Sequence, residues 1–204
     1  SIRHLGIRDG RVVTISDVPL PDHAAPKVYD ATGQWVTPGF IETHSHYDAE
    51  VIATPSLKES VRHGVTSVLI GSCSISMINA QPEDCSDLFT RVEAVPREAV
   101  LPILKEKKTW GDAAGYRGFY DRQPLGPNVG SFVGHSDIRV AVMGLERATS
   151  PAKPSEQELQ KMESLLEEAG CRLCRHVADD DPAGQGRRRS SLVTALAVHL
   201  RTLE

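Results

Sequence analysis

The stretch that decides the fold is residues 39–48, which read Gly39-Phe40-Ile41-Glu42-Thr43-His44-Ser45-His46-Tyr47-Asp48. A short run of extended propensity leads into two histidines that are spaced two residues apart. Because side chains i and i+2 of a strand point to the same face, His44 and His46 can present two imidazoles to one metal ion, and imidazole suits zinc and other first-row metals. Two solvated histidines at the end of a surface strand would give the same pattern. The apolar run-in and the following Asp48 favour the metal site.

Composition argues against several classes of function. The 204 residues carry a net charge of −4 and show no basic stripe of the kind that binds nucleic acid or an anionic membrane. No apolar run approaches the roughly 18 residues that a membrane span requires. Four cysteines in a chain of this size do not resemble a disulfide framework. We therefore expect a small-molecule substrate, no nucleic-acid or membrane partner and a reducing, cytoplasmic location, and the sequence leaves the oligomeric state open.

Residues 1–36 have the pattern of β structure. Asp9-Gly10 is a two-residue hairpin signal between two short apolar runs, and Ala31-Thr32-Gly33 marks a second turn between 28–30 and 34–36. Two hairpins bury too little surface to be stable alone. We therefore expect this patch to belong to a small β domain whose other strands come from elsewhere.

From residue 37 onward the pattern changes to alternating strands and helices. The clearest strand is Val65–Ile70, a near-continuous apolar run as in a parallel sheet covered on both faces. Ser155 and Glu158 form a capping box that opens a late helix. The other predicted elements are helices at 55–63 and around 84–95, a helix or loop at 109–122, and a strand at 128–133. Repeated units of this kind predict a parallel sheet or a (β/α) barrel.

Cys73 follows the strand Val65–Ile70 just as His44 and His46 follow the strand before it. Barrel enzymes place their sites at the C-terminal ends of strands, so neighbouring parallel strands would bring Cys73 near the two histidines. A thiolate beside imidazoles is a credible zinc ligand. The alternative is that Cys73 is a small buried apolar residue. We predict one partial metal site formed by all three side chains.

The run from Trp35 to His46 resembles the opening of the amidohydrolase superfamily. Residues 65–74, with Cys73 in place, resemble the N-acyl-D-amino-acid deacylase (D-aminoacylase) branch of that superfamily, and so do residues 128–144 and the helix that opens at Ser155. The resemblance covers about residues 5–170.

This resemblance implies an α/β fold. Residues 37–170 would form the first half of a (β/α)8 TIM-like barrel of the metal-dependent-hydrolase type, and residues 1–36 would be strands of a small β-sandwich built from both chain ends. It further implies hydrolysis of the amide bond of N-acyl-D-amino acids with the help of zinc, as one or two divalent ions.

The resemblance also implies roles for particular residues. The family positions that match His44, His46 and Cys73 are metal ligands, and a late aspartate in the second half of the barrel is the general base. His135, at the mouth of the third strand, is a candidate substrate contact. A structural histidine at the end of a strand is the alternative for His135.

The resemblance stops at Gly170. Residues 171–204 hold a Cys-x-x-Cys-x-His run, an aspartate run and an arginine run where the family continues with a strand rich in glycine and serine. Codons for residues 176–200 can be chosen so that a one-base shift of the reading frame gives an unbroken segment that resembles the family. We interpret 171–204 as an irregular, frameshifted tail that does not belong to the family. A full barrel takes about 250 residues, so we expect the 204-residue chain to be an incomplete and inactive form of the enzyme.

Two alternatives remain open at this point. One is a cyclic-amide hydrolase of the dihydroorotase or hydantoinase type, which a carboxylated lysine on the fourth strand would favour. The other is a non-catalytic fragment that binds at most a metal or a partner. Metal stoichiometry separates the non-catalytic fragment from the two enzymes.

Overall fold

The computed structural model describes residues 3–173 apart from Asp22 and Ala24, with the backbone alone at 171–173. The tail predicted to be irregular begins at residue 171, but 171–173 are the last residues of a helix. The rest of the tail, from Cys174 onward, lies outside the described residues. The chain divides after Pro38 into two compact units.

The first unit contains a β-hairpin. Strands β1 (His4–Arg8) and β2 (Arg11–Ser16) pair antiparallel. Asp9 and Gly10 have φ angles of 52° and 73°, the left-handed conformation that the two-residue turn of a twisted hairpin requires. The predicted first hairpin is therefore confirmed.

The predicted second hairpin is wrong. The turn itself exists, because the Gln34 amide donates to the Ala31 carbonyl at 2.9 Å and the Thr32 amide donates to the Asp30 carboxylate at 2.9 Å. No strand flanks this turn among the described residues. The neighbouring side chains stay exposed, with Trp35 at 93%. Strand pairs are stabilised by cross-strand packing, and within the described part of the chain these exposed side chains make no such packing.

The second unit is built on a parallel sheet of three strands. Its strands are β3 (Phe40–Glu42), β4 (Val65–Ile70) and β5 (Asn128–Ser131), in the order β3-β4-β5. Helices lie between consecutive strands along the chain, as parallel connections require. The C-terminal ends of all three strands therefore meet at one edge, and the predicted α/β class is confirmed.

Eight helices complete the described part of this unit: α1 (Asp48–Ala53), α2 (Lys58–Arg62), α3 (Pro82–Glu93), α4 (Arg97–Lys107), α5 (Ala113–Tyr120), α6 (His135–Met143), α7 (Leu145–Ala148) and α8 (Glu156–Leu173). The patterns at 55–63, 84–95, 109–122 and from Ser155 predicted α2, α3, α5 and α8. Sequence patterns did not predict α4, which contains Pro102 in its interior, a residue that normally breaks a helix. The strand predicted to end at 133 ends at Ser131, and α6 begins four residues later.

The core lies between the sheet and the helices. Val68 and Ile70 of β4 and Val129 of β5 are buried against large side chains, among them Tyr116 and Tyr120 of α5. The capping box at the start of α8 is confirmed, because the Ser155 amide donates to the Glu158 carboxylate at 2.8 Å and the Glu158 amide donates to the Ser155 hydroxyl at 3.3 Å. Over the described ranges, none of the helices has both the length and the apolar character needed to cross a membrane.

Candidate metal centre

The structure brings the three predicted side chains together at the C-terminal edge of the sheet. One possible ligand atom from each of His44, His46 and Cys73 lies within 4.8 Å of the other two. The His44 Nε2 and the Cys73 Sγ are 3.4 Å apart, and the two imidazole centroids are 5.5 Å apart. His44 and His46 follow β3, and Cys73 follows β4.

Ser45 fixes the backbone between the two histidines. Its amide and its hydroxyl both donate to the Leu69 carbonyl of β4, at 3.3 and 2.9 Å. Ser45 is buried, whereas His44 is exposed and His46 is half-buried. The serine thus anchors the segment to β4 between the two histidines, whose rings lie beside each other.

Cys73 lies in a strained turn. It occupies the middle of a 3-10 turn, Ser72–Ser74, with φ at 51°, and Ser74 follows with φ at 66°. Two consecutive non-glycine residues in the left-handed region are costly and persist only where the surroundings hold them. Gly71 begins the turn with φ at 76°, and a Cβ on it would come within 2.5 Å of the Phe132 carbonyl oxygen. Glycine is thus required where β4 ends.

Glu93, at the end of α3, faces His46. Its Oε1 lies 3.5 Å from His46 Nδ1, a buried nitrogen that has no hydrogen-bond partner among the described residues. A carboxylate beside one ring nitrogen keeps the proton on that nitrogen and leaves Nε2 free to bind a metal. Sequence analysis missed Glu93, because only the packing of α3 brings it near a histidine 47 positions earlier in the chain.

Asp48 ties the start of α1 to the turn that carries Cys73. It is 1% exposed, and its Oδ1 accepts the Gly71 amide at 2.9 Å. Burial raises the pKa of Asp48 to about 7. Asp48 does not belong to the group of donor atoms formed by the histidines and Cys73 within the described residues, so its contact is to the backbone beside them.

His135 lies apart from the three donors. It is the first residue of α6, is exposed, and is not in the donor group that the described residues form. Burial of part of the ring, together with the nearby Arg139, lowers the pKa of His135. Its role as a substrate contact stays a prediction.

The donor set fits a first-row metal ion. Two imidazoles and one cysteine thiolate are ligands that zinc prefers, and catalytic zinc sites use three protein ligands with a further position open. Ligand atoms about 2.0–2.3 Å from a tetrahedral zinc ion are about 3.5 Å apart. The 3.4 Å between His44 and Cys73 matches that spacing. The Cys73 side chain is exposed and not in a disulfide, so the site is accessible.

No family model matches the chain. An uncharacterized protein of Mycobacterium tuberculosis is 56% identical over 168 residues, which cover 82% of this chain and 28% of that protein. The N-acyl-D-glutamate deacylase of Alcaligenes xylosoxydans xylosoxydans is 34% identical over 166 residues, covering 81% of this chain and 30% of the enzyme. The chain thus spans about three tenths of the length of these relatives.

Solved structures of deacylases are also similar to this chain. The N-acyl-D-glutamate deacylase of Bordetella bronchiseptica, crystallised with zinc and a phosphonate that mimics the tetrahedral intermediate, superimposes with a TM-score of 0.63 at 30% identity and covers 82% of this chain and 32% of that chain. A D-aminoacylase with a binuclear metal centre has a TM-score of 0.61 at 26% identity and covers 84% of this chain and 33% of that chain.

The homologues and structural neighbours of this chain therefore include enzymes of the amidohydrolase superfamily. Among them are deacylases of N-acyl-D-amino acids, namely N-acyl-D-glutamate deacylase and D-aminoacylase. The resemblance drawn from the sequence is confirmed. A dihydroorotase of Enterococcus faecalis is 31% identical over only 85 residues, or 39% of this chain, so the cyclic-amide alternative has no better support.

Proposed function

We propose that this chain is part of a metal-dependent hydrolase that cleaves the amide bond of N-acyl-D-amino acids into a carboxylate and a free D-amino acid. The observation that carries the proposal is the convergence of His44, His46 and Cys73 at the ends of adjacent parallel strands. The zinc and the intermediate mimic bound by the Bordetella bronchiseptica deacylase support the same chemistry.

The three strands β3, β4 and β5 would be the first three of a (β/α)8 barrel that begins near residue 37. Their parallel order and the helices between them support this assignment. The hairpin in residues 1–36 would belong to a small β-sandwich. Helix α8 extends to Leu173, three residues beyond the point where the family resemblance stops.

Each site residue would have a defined task. His44 and His46 would hold a divalent ion through imidazole nitrogens, and Cys73 would hold it through its thiolate. Glu93 would keep the His46 ring in the tautomer that leaves Nε2 unprotonated. When bound, zinc polarises a carbonyl and makes water a stronger acid. His135 at the start of α6 would contact the small-molecule substrate.

The decisive experiment uses the 56% identical mycobacterial protein, because its greater length can supply the general base. We expect it to hydrolyse N-acetyl-D-amino acids and to leave the L enantiomers intact. Replacing by alanine the residues of that protein that match His44 and His46 should abolish turnover. Hydrolysis of dihydroorotate with no action on N-acetyl-D-amino acids would contradict the proposal and favour the cyclic-amide alternative.

The 204-residue polypeptide by itself should bind metal without efficient turnover. General-base catalysis contributes about 10²–10⁴-fold, and the aspartate expected in that role would lie on a later strand than β5. We expect the purified, zinc-loaded chain to stay well below the usual enzymatic range of about 1–10³ s⁻¹ with N-acetyl-D-amino acids. Turnover within that range, abolished by His44→Ala/His46→Ala, would show that the polypeptide is a competent enzyme.

A further inference from the structure

The segment that follows Cys73 is held by one buried carboxylate. Asp137, in the first turn of α6, is 0% exposed. Its Oδ2 accepts the Ser76 hydroxyl at 3.0 Å, the Ile78 amide at 3.2 Å, and the backbone amide and side-chain nitrogen of Asn79, both at 3.0 Å. Its Oδ1 accepts the Ala80 amide at 2.9 Å. Every one of these partners is a donor, and an ionised carboxylate satisfies such a set well.

The start of α6 also packs directly on the backbone beside Cys73. The Ser74 and Ser136 hydroxyls are 2.7 Å apart, and the Gly134 amide donates to the Ser76 hydroxyl at 2.9 Å. A Cβ on Gly134 would lie 2.3 Å from the Ser74 carbonyl oxygen. The two segments are therefore so close that no side chain fits between them.

These contacts account for how the strained turn persists. Cys73 and Ser74 both have positive φ, and such strain survives only when the surrounding structure determines the backbone from both sides. On the N-terminal side, the Gly71 amide is fixed by Asp48. On the C-terminal side, Ser76 and the amides up to Ala80 are fixed by Asp137.

We propose that Asp137 is a positioning residue that holds the turn after β4 so that the Cys73 sulfur faces His44. It acts through the backbone of residues 74–80 and does not itself touch the metal or the substrate. The inference rests on the proposed function in one respect, namely that Cys73 is a metal ligand. A ligand held in place by its supporting residues binds metal more tightly, and loss of such support typically costs about 10- to 100-fold in affinity.

The test uses Asp137→Asn in the full 204-residue chain. Asparagine keeps the shape of the side chain but replaces one accepting oxygen by a donor. Whichever oxygen is lost, at least one amide of the segment loses its acceptor. Cobalt(II) is the probe, because a thiolate ligand gives a charge-transfer absorption in the near ultraviolet, and Cys73→Ser identifies the part of that absorption due to Cys73.

Leu104→Ala is the matched control for general destabilisation, since Leu104 is 0% exposed in the core on α4. We expect Asp137→Asn to weaken thiolate-bound cobalt by about 10-fold or more, whereas Leu104→Ala lowers the thermal midpoint and keeps the wild-type affinity. If Asp137→Asn fails to fold, Ser76→Ala removes one contact of the same carboxylate and should weaken cobalt binding in the same direction. Wild-type affinity for cobalt in Asp137→Asn, or in Ser76→Ala if Asp137→Asn does not fold, would overturn the inference. An equal loss of cobalt affinity in Leu104→Ala would also overturn it.

A metal-free measurement separates this inference from the proposed function. The rate at which iodoacetamide alkylates Cys73, followed by mass spectrometry of its peptide, depends on the conformation of the turn. If wild-type protein shows no absorption that Cys73→Ser removes, the proposed role of Cys73 as a ligand fails. In that case, a changed alkylation rate in Asp137→Asn together with an unchanged rate in Leu104→Ala would still support the inference about Asp137. Wild-type rates in both variants would contradict it.

Discussion

At the scale of single residues, the site depends on contacts that lower the free energy of one side-chain or backbone conformation relative to others. Glu93 is one such contact. Its carboxylate lies 3.5 Å from the buried Nδ1 of His46, and carboxylates in this position orient the ring and raise its basicity as a ligand. Glycine at position 71 is another, because the end of β4 approaches the Phe132 carbonyl too closely for any side chain.

Glu93→Gln should weaken zinc binding by about 10-fold or more, since an amide oxygen polarises the imidazole less than a carboxylate does. Competition with a chromophoric chelator measures the affinity. Glu83→Gln is the control, because Glu83 lies on the same helix but pairs with Lys105 at 2.9 Å. Equal affinities in the two variants would show that Glu93 does not act on His46.

Gly71→Ala should destabilise the chain by about 1–3 kcal/mol or more, because alanine adds strain at a positive φ and a clash with backbone. Urea unfolding measures the change. Gly118→Ala is the control, since Gly118 lies inside α5 and a Cβ there meets only the flexible end of Arg122 at 3.4 Å. That change should be neutral or stabilising by up to about 1 kcal/mol. A stable Gly71→Ala variant would contradict the described turn.

At the scale of secondary-structure elements, α8 depends on a cap that also joins it to α7. Glu158 accepts the Ser155 amide, and its carboxylate pairs with Arg147 of α7. The hydrogen bond from Arg147, followed by the one from the Ser155 amide, lowers the pKa of Glu158 to about 2. A carboxyl group whose pKa is lower in the folded state stabilises the fold above its unfolded pKa and loses that contribution as the pH falls.

Glu158→Gln should therefore reduce stability at about pH 5 and have a smaller effect at about pH 3, inside the window between the usual pKa of 4.5 and about 2. Urea unfolding at the two pH values measures the difference between variant and wild type. Glu163→Gln makes the same charge change elsewhere on α8. For this variant, the difference in unfolding free energy from wild type should not become smaller at the lower pH. A Glu158→Gln effect independent of pH would mean that the carboxylate charge does not contribute.

At the scale of the whole molecule, a metal held by His44, His46 and Cys73 would join the ends of β3 and β4. A ligand that binds only the folded state stabilises it by mass action, by about 2.7 kcal/mol at 100 times its dissociation constant. Zinc binding should thus be visible in the unfolding of the chain and not only at the site.

One equivalent of zinc should raise the thermal midpoint of the wild-type chain, and a chelator should reverse the effect. His44→Ala/His46→Ala should remove most of the shift. Cys174→Ser should leave it intact, which controls for the Cys-x-x-Cys-x-His run of the tail. A shift that depends on Cys174 and not on the two histidines would place the metal in the tail and contradict the proposed centre.

Local chemistry explains why much of this protein could be predicted from its sequence. The spacing of two in His44-Ser45-His46 predicted neighbouring imidazoles, although the strand itself ends at Glu42, and Asp9-Gly10 carries its own turn preference. The Ser155–Glu158 capping box is likewise complete within four residues. In the hairpin turn and the capping box, the interacting groups are close in the chain, so the local sequence contains the whole interaction. The local turn signal at Ala31-Thr32-Gly33 correctly predicted the turn. It did not correctly predict the flanking strands, because a strand also requires a second strand to pair with.

Only the tertiary structure decided what surrounds the donors. Glu93 contacts His46, Asp48 contacts Gly71, and Asp137 contacts residues 76–80. The partners in these contacts are between 23 and 61 positions apart in the chain. No period or motif encodes such contacts, because they depend on how α1, α3 and α6 pack against the sheet. The sequence by itself determined which side chains could bind a metal and that they follow parallel strands. Only the packed structure placed the buried carboxylates of Asp48 and Asp137 on either side of the turn that carries Cys73, because a strained backbone keeps its shape only where other groups hold it.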